Sequence, residues 1–182
     1  MNRTKMLTIA ALMAALSNIL STELFTIPFA VGPIVSRVHF TQIPIFLSAY
    51  LAGPLGGLLA GAVGGLYMSY TMIPFVFGGL ALLGFSAGYI GKRFQLRPFV
   101  SAILAWVFQA VYVYVTDYYW FTSVQGMPGH VATGVVTTIL TKLTVEAVIA
   151  AFLVEAVVLA LNRTGILGIL GEGWSGDSVA PK

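Results

Sequence analysis

The chain has 182 residues, of which 58% are hydrophobic and 8% charged, with a mean hydropathy of +0.94. A water-soluble domain carries about 25% charged residues, so length here counts membrane spans and not the volume of a soluble core. The net charge of +3 comes with no basic stripe or polar domain, which removes the case for nucleic acid, and the lack of cysteine removes disulfides and thiolate chemistry.

At roughly 20 apolar residues per span, about six helices fit. The first is predicted over Lys5 to Leu20; Arg3 and Lys5 precede it, and the membrane-like chain beyond marks it as a retained helix and not a cleaved signal. "STELFTIPFAVGPIVS" is too interrupted by Pro and Gly to span and reads as an outer loop. A second helix is predicted from Arg37 to Leu51, and "AGPLGG" turns the chain into a third, Leu55 to Thr71. Pro74 separates that from a fourth, Phe75 to Ile90. Pro98 suits the first turn of a fifth, which runs to Tyr119. The sixth pattern, Val131 to Leu161, is about 45 Å long at 1.5 Å per residue, longer than the hydrocarbon layer is thick. The expected fold is therefore an all-α membrane protein, a bundle of six transmembrane helices over residues 1–161, with 162–182 as a flexible cytoplasmic tail.

Lys and Arg set the orientation. Six alternating spans collect Arg3, Lys5, Lys92, Arg93, Arg97, Arg163 and Lys182 on one side. By the positive-inside rule that side is cytoplasmic and holds both termini.

Helices associate in lipid by close packing and polar contacts, which small residues every fourth position permit. Ala10 with Ala14 and Ala11 with Ala15 supply such steps in helix one; Gly57, Gly61 and Gly65 do so in helix three, and Gly84 and Gly88 in helix four. The glycines are expected to pack inside the bundle, whereas the alanine face is equally suited to another membrane subunit. With "IAALMAAL", the Pro/Gly-containing outer loop and "FTQIPIFLSAYLAGPLGGLLAGAVGGL" in a chain of six spans, the sequence resembles the substrate-binding S component of energy-coupling factor (ECF) vitamin transporters. The resemblance implies capture of a vitamin-class small molecule in an outward-open pocket of a prokaryotic inner-membrane protein. It also implies delivery by toppling within a complex of a membrane coupling subunit and two ATPases. Ala10, Ala11, Ala14 and Ala15 would then include the coupling-subunit contact, and the loop between helices one and two would gate the pocket.

Ionisable groups within a span are costly and usually face a cavity or a partner. Lys142 and Glu146 lie roughly 16 and 22 Å from the outer start of helix six, one turn apart. They form either a structural ion pair or a ligand contact. Thr133, Thr137, Thr141 and Thr144 mark a stripe expected to face protein or water. Arg37 and Thr41 are placed on one helix face with His39 and Gln42 close by; Gln109 and Tyr112 share a side of helix five; Asp117, at its outer end, can pair with Arg37. Arg37 serves as anchor or ligand contact, His39 as packing or ligand residue, and Gln109 as interhelical hydrogen bond or pocket contact. Tyr118, Tyr119 and Trp120 fit an interfacial belt. The expected ligand set is Arg37, His39, Gln42, Gln109, Tyr112, Asp117, Lys142 and Glu146, suited to a zwitterion or a carboxylate-bearing ring.

Enzyme chemistry has little support. The Walker phosphate cradle is absent, two distant histidines give no helix-borne zinc spacing, and Gly-x-Ser-x-Gly does not occur. No cofactor, metal or catalytic residue is expected. The alternative is a structural or assembly membrane protein without a small-molecule ligand, in which Lys142 and Glu146 fix helix register.

Overall fold

The computed structural model describes residues 2–31 and 34–165. The polypeptide is mostly helical. Helix α1 (Arg3–Leu20) opens with the Asn2 side chain accepting from the Thr4 N–H at 3.2 Å. A short turn leads to an antiparallel hairpin of β1 (Ile27–Val31) and β2 (Ile34–Val38), followed by α2 (Gln42–Gly64), α3 (Leu66–Thr71), α4 (Val76–Phe94), α5 (Pro98–Tyr119) and α6 (Gly129–Arg163). Residues 42–71, 98–124 and 129–163 form stretches long and apolar enough to cross a membrane. Large apolar side chains such as Phe108, Val111, Val115 and Phe152 stand exposed, as on a lipid-facing surface.

Two expectations change here. The outer segment is a β-hairpin rather than an irregular loop, with Pro28 opposite Arg37 and Ile27 opposite Val38. Arg37 therefore sits in β2 and not at the start of a helix, so it shares no helix face with Thr41. Alternation of apolar residues on either side of the Val-Gly-Pro sequence is a weak strand signal in a chain that is apolar nearly everywhere. The predicted tail from Asn162 also shifts: α6 continues to Arg163, and residues 166–182 lie outside the described residues.

Helix α2 folds back on itself. The Ser48 hydroxyl donates to the Gly56 carbonyl at 3.0 Å, although residues eight apart in a straight helix would be about 12 Å apart along the axis. The reversal is at Gly53, whose φ of 78° and ψ of −173° suit a residue without a Cβ, and Pro54 starts the second arm. The arms, residues 42–52 and 54–64, run antiparallel, and the turn lies within "AGPLGG".

Both arms pack on α4. A methyl added at Gly57 would run into the Gly84 carbonyl, and one at Gly84 into the Gly57 carbonyl, so the two backbones touch. Gly61 likewise abuts the Leu80 carbonyl. Ile45, Phe46, Leu83, Ala105 and Val154 fill the core between α2, α4, α5 and α6. The helix-three and helix-four glycines thus serve internal packing.

Helix α1 lies against the second arm. Ala10, Ala14 and Ser17 are buried, and the Ser17 hydroxyl lies 3.2 Å from the Thr41 carbonyl and 3.3 Å from the Gly64 carbonyl. Asn18 covers the break between α2 and α3: its amide donates to the Val63 carbonyl at 2.9 Å and accepts from the Tyr67 N–H at 3.1 Å. These contacts satisfy backbone groups that a helix end leaves open. At the far end of the bundle, Glu155 of α6 accepts from the Phe99 N–H in the first turn of α5 at 2.9 Å. An anionic acceptor at a helix N-terminus is favourable.

Candidate functional site

A cavity of about 710 Å³, counted to its open mouth, lies between the start of α2, α3, the start of α4, α5 and α6. Its polar wall comprises Thr41, Gln42, Gln109, Tyr112, Thr116, Asp117, Lys142 and Glu146. Facing these are apolar residues, among them Met68, Met72, Ile73, Phe75, Val113 and Leu143.

Secondary structure explains the convergence. Gln109, Tyr112, Val113, Thr116 and Asp117 recur at steps of one, three and four along α5, which keeps them on one side of it. Lys142 and Glu146 do the same one turn apart on α6. Gln42 projects from the first turn of α2. The loop around Pro74 lets Met72, Ile73 and Phe75 close the wall beside α3. Trp120 packs edge-on against Phe75, with centroids 6.1 Å apart, and so backs the cavity wall without lining it.

Electrostatics centre on Glu146. Its Oε1 lies 3.4 Å from the Lys142 ammonium, and the two side chains are 2% and 6% exposed. The same oxygen accepts the backbone N–H of His39 at 2.6 Å. The carboxylate therefore has two donors, one charged and one from the main chain. Asp117 has no cation beside it among the described residues, and the Thr116 hydroxyl stands 3.4 Å from its Oδ1.

Six of the eight expected ligand residues meet at this cavity: Gln42, Gln109, Tyr112, Asp117, Lys142 and Glu146. Arg37 and His39 do not line it. They line a neighbouring hollow nearer the hairpin, with Ser21, Glu23, Tyr67 and Thr71, and Met68 and Met72 form the wall shared by both. Arg37 pairs with Glu23 at 3.2 Å and not with Asp117, because β2 carries it to the side of the short turn where Glu23 lies. His39 is buried, and its imidazole is lowered from the usual 6.5 to about 4, chiefly by desolvation and then by the positive Lys142 and Arg37.

The structure bears on two further expectations. Thr133, Thr137 and Thr141 are exposed, and each hydroxyl donates to the carbonyl four residues before it, at 2.8–2.9 Å. Thr144 is half-buried, so the first three members of the stripe lie outside the bundle's own core, where a hydroxyl satisfied within its helix tolerates lipid as well as water. In α1, Ala10 and Ala14 are covered by the protein's own packing, Ala14 beside Gly64, whereas Ala11 and Ala15 are exposed. Sequence reasoning missed Met68, Met72, Ile73 and Phe75. The break at Pro74 was their sole pointer, since apolar residues in an apolar chain carry no positional signal. Among the described residues, no three His, Asp or Glu side chains are grouped to hold a metal ion.

No curated protein matches the chain. Its fold is similar to a solved structure of the S component of a bacterial ECF transporter, with a TM-score of 0.58 over 94% of this chain and 100% of that one. The two share 16% sequence identity, so that likeness speaks for the fold alone. The family model described as "ECF transporter, substrate-specific component" matches residues 5–158, nearly all of the described chain, which therefore belongs to the ECF transporter substrate-specific component family.

Proposed function

We propose that the chain captures a small polar molecule of the vitamin class from outside the cell and passes it to an ECF module for ATP-driven uptake. The carrying observation is the cavity itself, in which Gln42, Gln109, Asp117, Lys142 and Glu146 converge inside an otherwise apolar bundle. Buried polar groups are expensive without partners, and a bound polar molecule supplies them. In this reading Lys142 and Glu146 form the floor, Tyr112 and Phe75 flank a ring, and the hairpin covers the mouth. Six crossings need the two arms of α2 to enter the bilayer as separate legs, the first about 16 Å long as a helix and the second continued by α3. The distribution of Lys and Arg then favours both termini on the cytoplasmic side of a prokaryotic plasma membrane. Ala11 and Ala15 are the exposed alanines left for the coupling subunit, which would work with two ATPase subunits.

Mass spectrometry of small molecules released from the detergent-purified chain tests this, with wild type beside Lys142→Ala. A compound held by the wild type and lost from a folded variant supports capture at this cavity. A wild-type chain that holds no small molecule, and binds none across a panel of water-soluble vitamins, defeats the proposal.

A further inference from the structure

Polar side chains around the cavity fall into two groups. Several are engaged by the protein's own groups. Lys142 and Glu146 hold each other, and Glu146 also accepts from His39. The Tyr112 hydroxyl donates to the Phe75 carbonyl at 3.3 Å, and that of Thr116 to the Tyr112 carbonyl at 2.9 Å. The amides differ. Gln42 is 0% exposed with neither Oε1 nor Nε2 partnered, and Gln109, 3% exposed, leaves Oε1 unpaired. Turning the Gln42 amide over exchanges its two atoms and changes nothing, since both are free. Buried side-chain polar atoms nearly always have a partner. Here three that lack one belong to Gln42 and Gln109, residues of two helices that both border one cavity.

Resting on the capture reading, we infer that the bound molecule presents an adjacent N–H and C=O to Gln42, as a lactam, a ureide or a primary carboxamide does, and a further hydrogen-bonding group to the Gln109 amide. A primary amide carries donor and acceptor on one planar group. A cis amide edge therefore meets it through two parallel hydrogen bonds. A carboxylate offers acceptors alone and would set its lone pairs against Gln42 Oε1. Lys142, the one cation lining the cavity among the described residues, is shared with Glu146 at 3.4 Å, so a carboxylate there meets a second carboxylate as well as the ammonium. An ester or ether lacks the donor, and a hydrocarbon ring leaves all three amide atoms unpaired. The amide edge thus adds a requirement to the zwitterion or carboxylate-bearing ring expected from the charges. Sites built around hydrogen bonds reject analogues that lack them far more strongly than apolar pockets reject a missing methylene.

The test compares wild type, Gln42→Leu and Gln109→Leu as full chains, each with its co-purifying small molecules extracted, quantified and fragmented. Replacing an unpartnered buried amide by an apolar group of similar size is not expected to harm the empty fold. Melting of extensively washed protein checks that point, and Gln42→Met gives the same readout should Gln42→Leu not fold. The expected result is a retained compound with a lactam, ureide or carboxamide group, whose occupancy falls by about tenfold or more in Gln42→Leu. A retained compound without such a group, or one that has it and is kept equally by both variants, overturns the inference while the capture reading stands. A wild-type chain that retains nothing overturns the capture reading, and this inference with it.

Discussion

His39 and Glu146 are 107 residues apart in sequence and joined by a 2.6 Å hydrogen bond from the His39 backbone N–H to Glu146 Oε1. The bond ties the end of β2, just before α2 begins, to the middle of α6. Glu146 thereby does two things at once: it neutralises Lys142 and holds the segment connecting the hairpin to the bundle. A charge pair alone would need nothing from the main chain. With this third member, removal of the carboxylate loosens two elements.

Glu146→Leu should strand the Lys142 ammonium in the interior. Breaking one side of a buried pair typically costs about 3–5 kcal/mol, whereas replacing both members by apolar residues is often neutral. Thermal unfolding in detergent should therefore show a large loss for Glu146→Leu and a substantial recovery for Glu146→Leu with Lys142→Met. Recovery should stay incomplete, since the His39 N–H still loses its acceptor. A double variant no more stable than the single one would show that the ion pair is not the source of the loss.

The residues of this network were legible because charge in an apolar span stands out. Lys142, Glu146, Gln109 and Asp117 all violate the composition around them, and all reach one cavity. Arg37 was misplaced for the opposite reason. A five-residue strand in an apolar sequence has little to distinguish it from the start of a helix, so its true partner, Glu23, did not show. The alanine pairs in α1 illustrate a different limit. Both pairs have the same spacing, and which of them is buried depends on Gly64 lying opposite Ser17 and Ala14, a fact of tertiary structure.

The contact between Gly57 and Gly84 predicts a position-specific response to a single methyl. Gly57→Ala places a Cβ against the Gly84 carbonyl, which is backbone and cannot rotate away. A loss of about 1–3 kcal/mol is expected from overpacking. Gly134→Ala is the control: nothing lies within 4 Å of a Cβ there, so the helix should gain about 0.5–1 kcal/mol from the better helix former. Melting temperatures measured side by side check the pair. Equal responses at the two positions would count against the close approach of α2 and α4.

The Arg37–Glu23 pair should matter little to stability despite its 3.2 Å separation. The side chains are 48% and 79% exposed, and ion pairs so open to solvent contribute about 0–1 kcal/mol, less in salt. Glu23→Gln should leave the unfolding temperature nearly unchanged at low and high ionic strength. A salt-dependent drop of several degrees would mean that the pair anchors the hairpin.

His39 gives the pH prediction. Desolvation, Lys142 and Arg37 hold its imidazole at about 4, against 6.5 when free. Above 6.5 the ring is neutral whether the chain is folded or not, so pH has no effect on stability through this group. Between 6.5 and 4 the unfolded chain takes up a proton that the folded one refuses, so stability falls as the pH falls across that window. His39→Gln removes the titrating group and keeps the backbone N–H that Glu146 needs. Melting temperature followed from pH 8 to pH 4 should drop more steeply for wild type than for His39→Gln, and the two curves should run parallel above pH 6.5. Curves that remain parallel down to pH 4 would show that the imidazole is not held neutral by its surroundings.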